Sequence, residues 1–245
     1  MFLEETDIGE QGVADLLVLD AGCGPARLTR QIAQHGARTV VGLDLSETVN
    51  GVFAETRDLT NLEVIQADLT TAPLRAAFDL VWSAGVIHHT ADAAAAFRGL
   101  TRYVRPGGML YVWVYPSNLL RPFRLSNAIQ ATQAALGRLG LRRLPESTIF
   151  RLAGALSYAT VGLYWLYRAV RRLPGVRPHT PASRESVKPI ARRTFHNAWY
   201  DALVPPYTSW HSEREVIGWF RVAGFTDITT TPGRPLGVHG RAPLR

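Results

Sequence analysis

A few acids, two glycines and a handful of histidines are the residues through which this 245-residue chain could do chemistry. Asp20 is followed at once by Gly22 and Gly24 in the stretch LLVLDAGCGPAR, residues 16–27. Glycines lack a Cβ, so the backbone there can turn tightly and come close to a ligand. Asp44 follows 24 residues after Asp20, a distance at which an acid meets a ribose hydroxyl pair in nucleotide-binding folds. A carboxylate placed ahead of the first glycine suits a ligand bearing an amine and a sulfonium better than an anionic pyrophosphate. Arg27 also stands where a dinucleotide fingerprint wants its third glycine. His88 and His89 titrate near neutrality and could take a proton from an acceptor group. The plainer reading is that they pack and hydrogen-bond their loop. Neighbouring loop residues rarely both face a site, and His89 is preferred. No Cys, His or acid follows them at ligand spacing, so no metal is expected.

These residues need elements to position them. Leu16 to Leu19 form an apolar run without alternation, which reads as a buried parallel strand ending at Asp20. Pro25 suits a first helical position, and Ala26, Leu28, Ile32 and Ala33 continue at helical spacing. Residues 38–43 read as a second strand ending at Asp44, and Ser46 as the N-cap of a helix over 46–58. Residues 62–66 give a third strand running into Asp68 and Leu69. Residues 78–84 give a fourth, running into the loop that carries His88 and His89. An alanine-rich helix over 91–104 is stopped by Pro106-Gly107-Gly108, and 109–115 read as a fifth strand. Strand and helix alternate with short joints, which predicts an α/β fold with a doubly wound, mostly parallel sheet. Near the end, Ser212 and Glu215 form a capping box that opens a helix closed by Gly224. Two closing strands follow, over 225–230 and 235–240.

Composition bounds the chain further. An apolar fraction of 47% permits a sizeable core. Cys23 is the one cysteine, so no intramolecular disulfide can form. The acidic start, MFLEETDIGEQG, does not read as a secretory signal, and the expected location is the cytoplasm. The formal charge of +7 is uneven: residues 116–200 hold 14 Lys+Arg against two acids, a net of +12, and the rest carries −5.

That basic stretch is an insertion. About 90 residues separate the fifth strand from the return of strand–helix order, too many for a structureless loop. Residues 117–140 and 149–173 read as helices, with Leu152, Leu156, Ala159, Leu163, Leu166 and Val170 on one face of the second. Its uncharged run, 152–167, falls short of the ~20 residues that span a bilayer. Arg168, Arg171, Arg172 and Arg177 follow closely, so the helix can also be read as lying on a membrane surface. A cap packed over the core is the preferred reading. Residues 174–189 hold four prolines and read as a linker. The expected division is a Rossmann-like cofactor-binding core over 1–115, a helical acceptor-binding cap over 116–206, and a C-terminal completion of the sheet over 207–245.

Taken in order, Asp20/Gly22/Gly24, Asp44, Asp68 and the GVIHHT loop resemble the class I S-adenosylmethionine-dependent methyltransferases. The resemblance covers about residues 16–115 and 212–240. It implies a seven-stranded sheet with an antiparallel final strand. It also implies S-adenosylmethionine as cofactor and S-adenosylhomocysteine as product. By resemblance, Asp20, Gly22 and Gly24 hold the cofactor, and Asp44 with Leu45 takes its ribose. Asp68 faces the adenine amino group while Leu69 packs on the ring. The end of the fourth strand, at Ala84, lies beside the transferring methyl.

The implied chemistry is displacement of a sulfonium methyl by an acceptor oxygen, nitrogen or carbon. No metal is required, and holding the reactants in line can supply roughly 7–11 kcal/mol of the barrier. An acceptor hydroxyl needs a base, for which His89, His88 and His211 are candidates, with Tyr207 as a positioning donor. The aromatics Trp165, Tyr167, Trp199, Tyr200, Tyr207 and Trp210 favour an apolar acceptor, and the arginines an anionic or lipid-linked portion. O-methylation of such a small molecule is the expected function. Methylation of RNA or another nucleic acid is an alternative raised by the basic insertion, but no recognised binding module supports it. A non-catalytic membrane-surface protein that keeps the cofactor fold is another. A nicotinamide oxidoreductase is disfavoured by Arg27. Contact with the inner membrane face is expected, if anywhere, through residues 149–177.

Overall fold

The computed structural model describes residues 12–117, 135, 144–170, 196, 199–200, 203–231 and 236–244. Two compact units divide the chain: residues 1–118 with 209–245, and residues 119–208. In the first unit, β1 (Leu17–Ala21), β2 (Thr39–Asp44), β3 (Leu62–Gln66), β4 (Phe78–Ala84) and β5 (Val104–Trp113) run parallel, and β6 (Thr226–Thr230) and β7 (Gly237–Arg241) close the sheet. The strand order is β3-β2-β1-β4-β5-β7-β6, with β7 antiparallel to both its neighbours. This is the doubly wound, mostly parallel seven-stranded sheet expected of the chain.

The central strands β1 and β4 are buried on both faces, which is why they are apolar almost throughout, while the edge strands β3 and β6 carry polar residues and are partly exposed. Side chains alternate along a strand, so Val18 and Leu80 join one core and Leu19 and Val81 the other. Ile32 and Ala33 of α1 (Arg27–Gln34) fill the first core, where Trp82 stacks on Tyr111 at 3.9 Å between ring centroids. Phe97 and Leu100 of α3 (Ala93–Thr101) and Val216 and Phe220 of α5 (Glu213–Val222) fill the second. Both helices start on side-chain caps. Asp92 accepts from Ala95 N–H at 2.9 Å, and Ser212 with Glu215 forms the full capping box.

Three local expectations are corrected. The first helix begins at Arg27 rather than Pro25, because Ala26 turns left-handed at φ 52°. Ser46 does not cap α2 (Thr48–Glu55): its N–H and hydroxyl both bond Asp44 Oδ1, and Glu47 holds the cap position. Pro106-Gly107-Gly108 lies inside β5, whose pairing with β4 shifts register between Phe78 and Leu80. A bulge lets a strand absorb residues that would otherwise end it.

In the second unit, α4 spans Glu146–Val170. The apolar stripe read from the sequence is buried only in part, with Leu152 and Leu156 half-buried. Leu163 and Leu166 are 56% and 61% exposed, while Ile149, Ala153, Ser157 and Thr160 are buried. Buried Trp199 lies on that side and donates from Nε1 to Thr160 Oγ1 at 2.8 Å. The expected helix over 117–140 and the proline-rich linker over 174–189 lie almost wholly outside the described residues.

Candidate active site

The sheet reverses its winding between β1 and β4, and ligands of such folds sit at the carboxyl ends of the strands beside that point. Here the chain leaves β1 through Gly22, Cys23 and Gly24. Gly22 and Cys23 N–H groups both donate to Leu43 O, at 2.6 and 3.1 Å, which ties the turn to the end of β2. Gly22 sits at φ 89°, and a Cβ there would come 2.2 Å from a methyl of Val86. Only glycine allows the loop after β4 to close on the loop after β1. Gly24, at φ 49°, has open space where a Cβ would stand, so a ligand can approach its backbone.

Acids surround this turn. Asp44 Oδ2 accepts from Gly24 N–H at 2.8 Å and Oδ1 from Ser46 N–H at 2.9 Å, which pins the carboxylate at the end of β2 beside exposed Leu45. Asp68, past the end of β3, accepts from Thr70 N–H and hydroxyl, and these bonds hold its pKa low, so it stays ionised. Leu69 follows it, half-buried. Asp20 differs. It is only 3% exposed, and Oδ2 takes a bond from Thr29 Oγ1 at 2.7 Å. Burial raises its pKa to about 6, with nearby Asp44 adding to the rise against the Thr29 bond. Its charge lies beneath the turn, where it braces α1 against β1.

The loop after β4 leaves Ala84 through Gly85, at φ 81°, into a short 3₁₀ turn, Ile87–His89. His88 is fully buried, its ring 4.0 Å from that of Tyr115 and 4.1 Å from that of His89. Burial, with repulsion from His89 and His211, lowers its pKa to about 2. A base works best with a pKa near the working pH, so His88 packs as a neutral ring and the base role expected of it is withdrawn. His89 is half-buried, its ring edge-on to Tyr115 at 5.4 Å.

His211 is held quite differently. Its Nδ1 lies 2.9 Å from Glu215 Oε1 and its Nε2 2.8 Å from Ser209 Oγ. Backbone bonds fix this segment to the carboxyl ends of the strands: Ser209 N–H donates to His88 O at 2.8 Å, and His211 N–H to Tyr115 O at 2.9 Å. The structure thus brings a Ser–His–Glu array to the loop that also closes over Gly22. Ser209 and Thr29 carry no signal that sequence reasoning used. Glu215 was legible only as a cap, although it stands four residues from His211. Tyr207, 53% exposed, belongs to the other unit.

The residues present fit S-adenosylmethionine. An open glycine turn, a pinned acid at the end of β2 and an ionised acid past β3 suit a cofactor with a cationic head, a ribose and an adenine. Comparison with known proteins agrees. Residues 19–112 match the methyltransferase domain family. The chain is 32% identical over 194 residues to the malonyl-[acyl-carrier protein] O-methyltransferase of Pseudescherichia vulneris, covering 76% of this chain and 73% of that protein. It is 36% identical over 100 residues to the ubiquinone biosynthesis O-methyltransferase of Rhizobium rhizogenes, covering 40% of each. It spans 63% of the length of another relative, the malonyl-[acyl-carrier protein] O-methyltransferase of Enterobacter lignolyticus, at 31% identity. The magnesium protoporphyrin IX methyltransferase of Synechocystis, solved with S-adenosylhomocysteine bound, shares the fold at a TM-score of 0.50 and 18% identity, over 94% of this chain and 75% of that one. Motif order, strand order and these relatives converge: the chain belongs to the class I S-adenosylmethionine-dependent methyltransferases.

Proposed function

We propose that this protein O-methylates a small, largely apolar acceptor through a hydroxyl group, the acceptor also carrying an anionic or lipid-linked portion. The observation that carries the reading is the Ser209–His211–Glu215 array. A carboxylate acceptor is already ionised and needs no base, whereas a phenol or enol does. Glu215 accepts from Nδ1–H, which leaves the Nε2 lone pair for the Ser209 hydroxyl proton once that hydroxyl turns from its 3.2 Å bond to His88 O. As the acceptor oxygen bonds the methyl, its proton passes to Ser209 Oγ, and the proton of Ser209 passes to His211 Nε2. Glu215 then faces an imidazolium, which it stabilises. The cofactor supplies a methyl group already activated by positive charge. The turn and its acids supply position. The names of both kinds of relative, O-methyltransferases, support oxygen as the acceptor atom.

The test is single-turnover methyl transfer to a phenolic acceptor and to a malonyl thioester, with His211→Ala and His89→Ala beside wild type. General-base help typically contributes about 10²–10⁴-fold. The expected result is a loss of that size for His211→Ala on the phenol, with cofactor affinity unchanged. Preferred methylation of the malonyl carboxylate, at a rate His211→Ala leaves alone, would overturn the reading.

A further inference from the structure

We infer that α4 is a docking surface for anionic lipid: it lies along a bilayer surface on the face that carries Leu163 and Leu166. Leu152 and Leu156 of its apolar stripe are half-buried, but along its C-terminal half the stripe faces outward. Its buried face includes two hydroxyls, Ser157 and Thr160, each donating to a backbone carbonyl of its own helix, Gly154 O at 2.6 Å and Leu156 O at 2.8 Å. Its exposed face holds Ala159, Leu163 and Leu166, with Tyr158 64% and Trp165 48% exposed beside them. A helix normally turns its apolar stripe to the core.

The stretch Ser147–Leu166 is long and apolar enough to be compared with a membrane helix, yet only 22% of its apolar window is buried. A core helix of that composition would be mostly buried. A spanning helix would meet lipid all round, but here Trp199 Nε1 bonds Thr160 Oγ1 and covers one side. One wet, apolar side with an aromatic fringe is the form of a helix that lies in the interface.

Charge decides between occupants. Arg168, Arg171, Arg172 and Arg177 come next in the sequence, within a stretch of net charge +12. A second copy of the chain would set two such basic stretches against each other. An anionic lipid surface neutralises them, each arginine near the surface adding to the attraction.

The proposal does not depend on the methyl acceptor and is tested without turnover. The whole protein is sedimented with vesicles of phosphatidylcholine alone, and with vesicles of phosphatidylcholine mixed with phosphatidylglycerol. Wild type should sediment with the mixed vesicles and lose that binding at high salt. The double variant Leu163→Glu/Leu166→Glu should bind about tenfold more weakly or not at all. Val222→Glu, an exposed apolar position on α5, should bind as wild type does. Unchanged melting temperatures and S-adenosylmethionine affinity check that both variants fold. Wild type remaining in the supernatant, or the double variant sedimenting fully, overturns the proposal. So does a dimer in analytical ultracentrifugation that the double variant abolishes, because a second copy would then be the occupant.

Discussion

His211 Nδ1 lies 2.9 Å from Glu215 Oε1, and the same carboxylate reaches Ser212 N–H through Oε2 at 3.4 Å. One side chain therefore both caps α5 and orients the imidazole. The helix start and the candidate base are fixed by a single group.

That double role separates two variants. Ser212→Ala removes the hydroxyl that accepts from Glu215 N–H and should cost about 1 kcal/mol of stability, with methyl transfer nearly intact. Glu215→Gln keeps an acceptor oxygen for the cap but loses the charge facing the ring. Its melting temperature should move little, while the rate on a hydroxyl acceptor falls and its pH profile shifts. Denaturant melts and pH–rate profiles of the two variants make the comparison. Equal losses of rate in both would show that Glu215 acts through the helix alone.

Gly22→Ala should abolish cofactor binding. The new Cβ would meet Val86 at 2.2 Å while the backbone stays at φ 89°. A left-handed non-glycine residue costs about 1–2 kcal/mol before any clash. Adding Val86→Ala should relieve the contact but not the backbone strain, so binding should return only in part. Calorimetry with S-adenosylmethionine gives both numbers, and tight binding by the single variant would show that the turn is not the site.

Asp44→Ala removes the acceptor of Gly24 N–H and of Ser46 N–H. Hydrogen bonds to a charged group contribute about 1.5–3 kcal/mol, so cofactor affinity should fall roughly 10- to 100-fold if the pinned acid also meets the ribose. The same titration with NAD should show no binding to wild type. The reverse preference would make this an oxidoreductase site.

Asp20 sets a pH dependence. Its pKa is raised from 3.8 to about 6 in the fold, so between those values the folded chain holds a proton that the unfolded chain has released. Its contribution to stability is present below pH 3.8 and falls as pH rises towards 6, by an amount on the order of 3 kcal/mol. Affinity for a cationic cofactor should run the other way, rising as Asp20 ionises near pH 6. Asp20→Asn should flatten both curves. Denaturation and calorimetry across pH 4–8 read them, and identical curves for variant and wild type would remove Asp20 from either role.

The sequence by itself determined the core fold, because that fold rests on short-range signals. Unbroken apolar runs mark strands buried on both faces. A serine and a glutamate three apart mark where α5 begins. Gly22 and Gly24 mark the tight turn after β1 because its positive φ restricts the residue types that fit it. The tertiary structure decided which groups look outward. Asp20 and His88 carry reactive groups, and packing with Thr29 and Tyr115 keeps both out of water. The array at His211 needed Ser209 tied to His88 O, 121 residues away in sequence. On α4 the apolar spacing marks a stripe, while Trp199, 39 residues from Thr160, covers a different side of the helix. Periodicity shows that a helix has an apolar side. Only the partner that packs against it settles which side is buried.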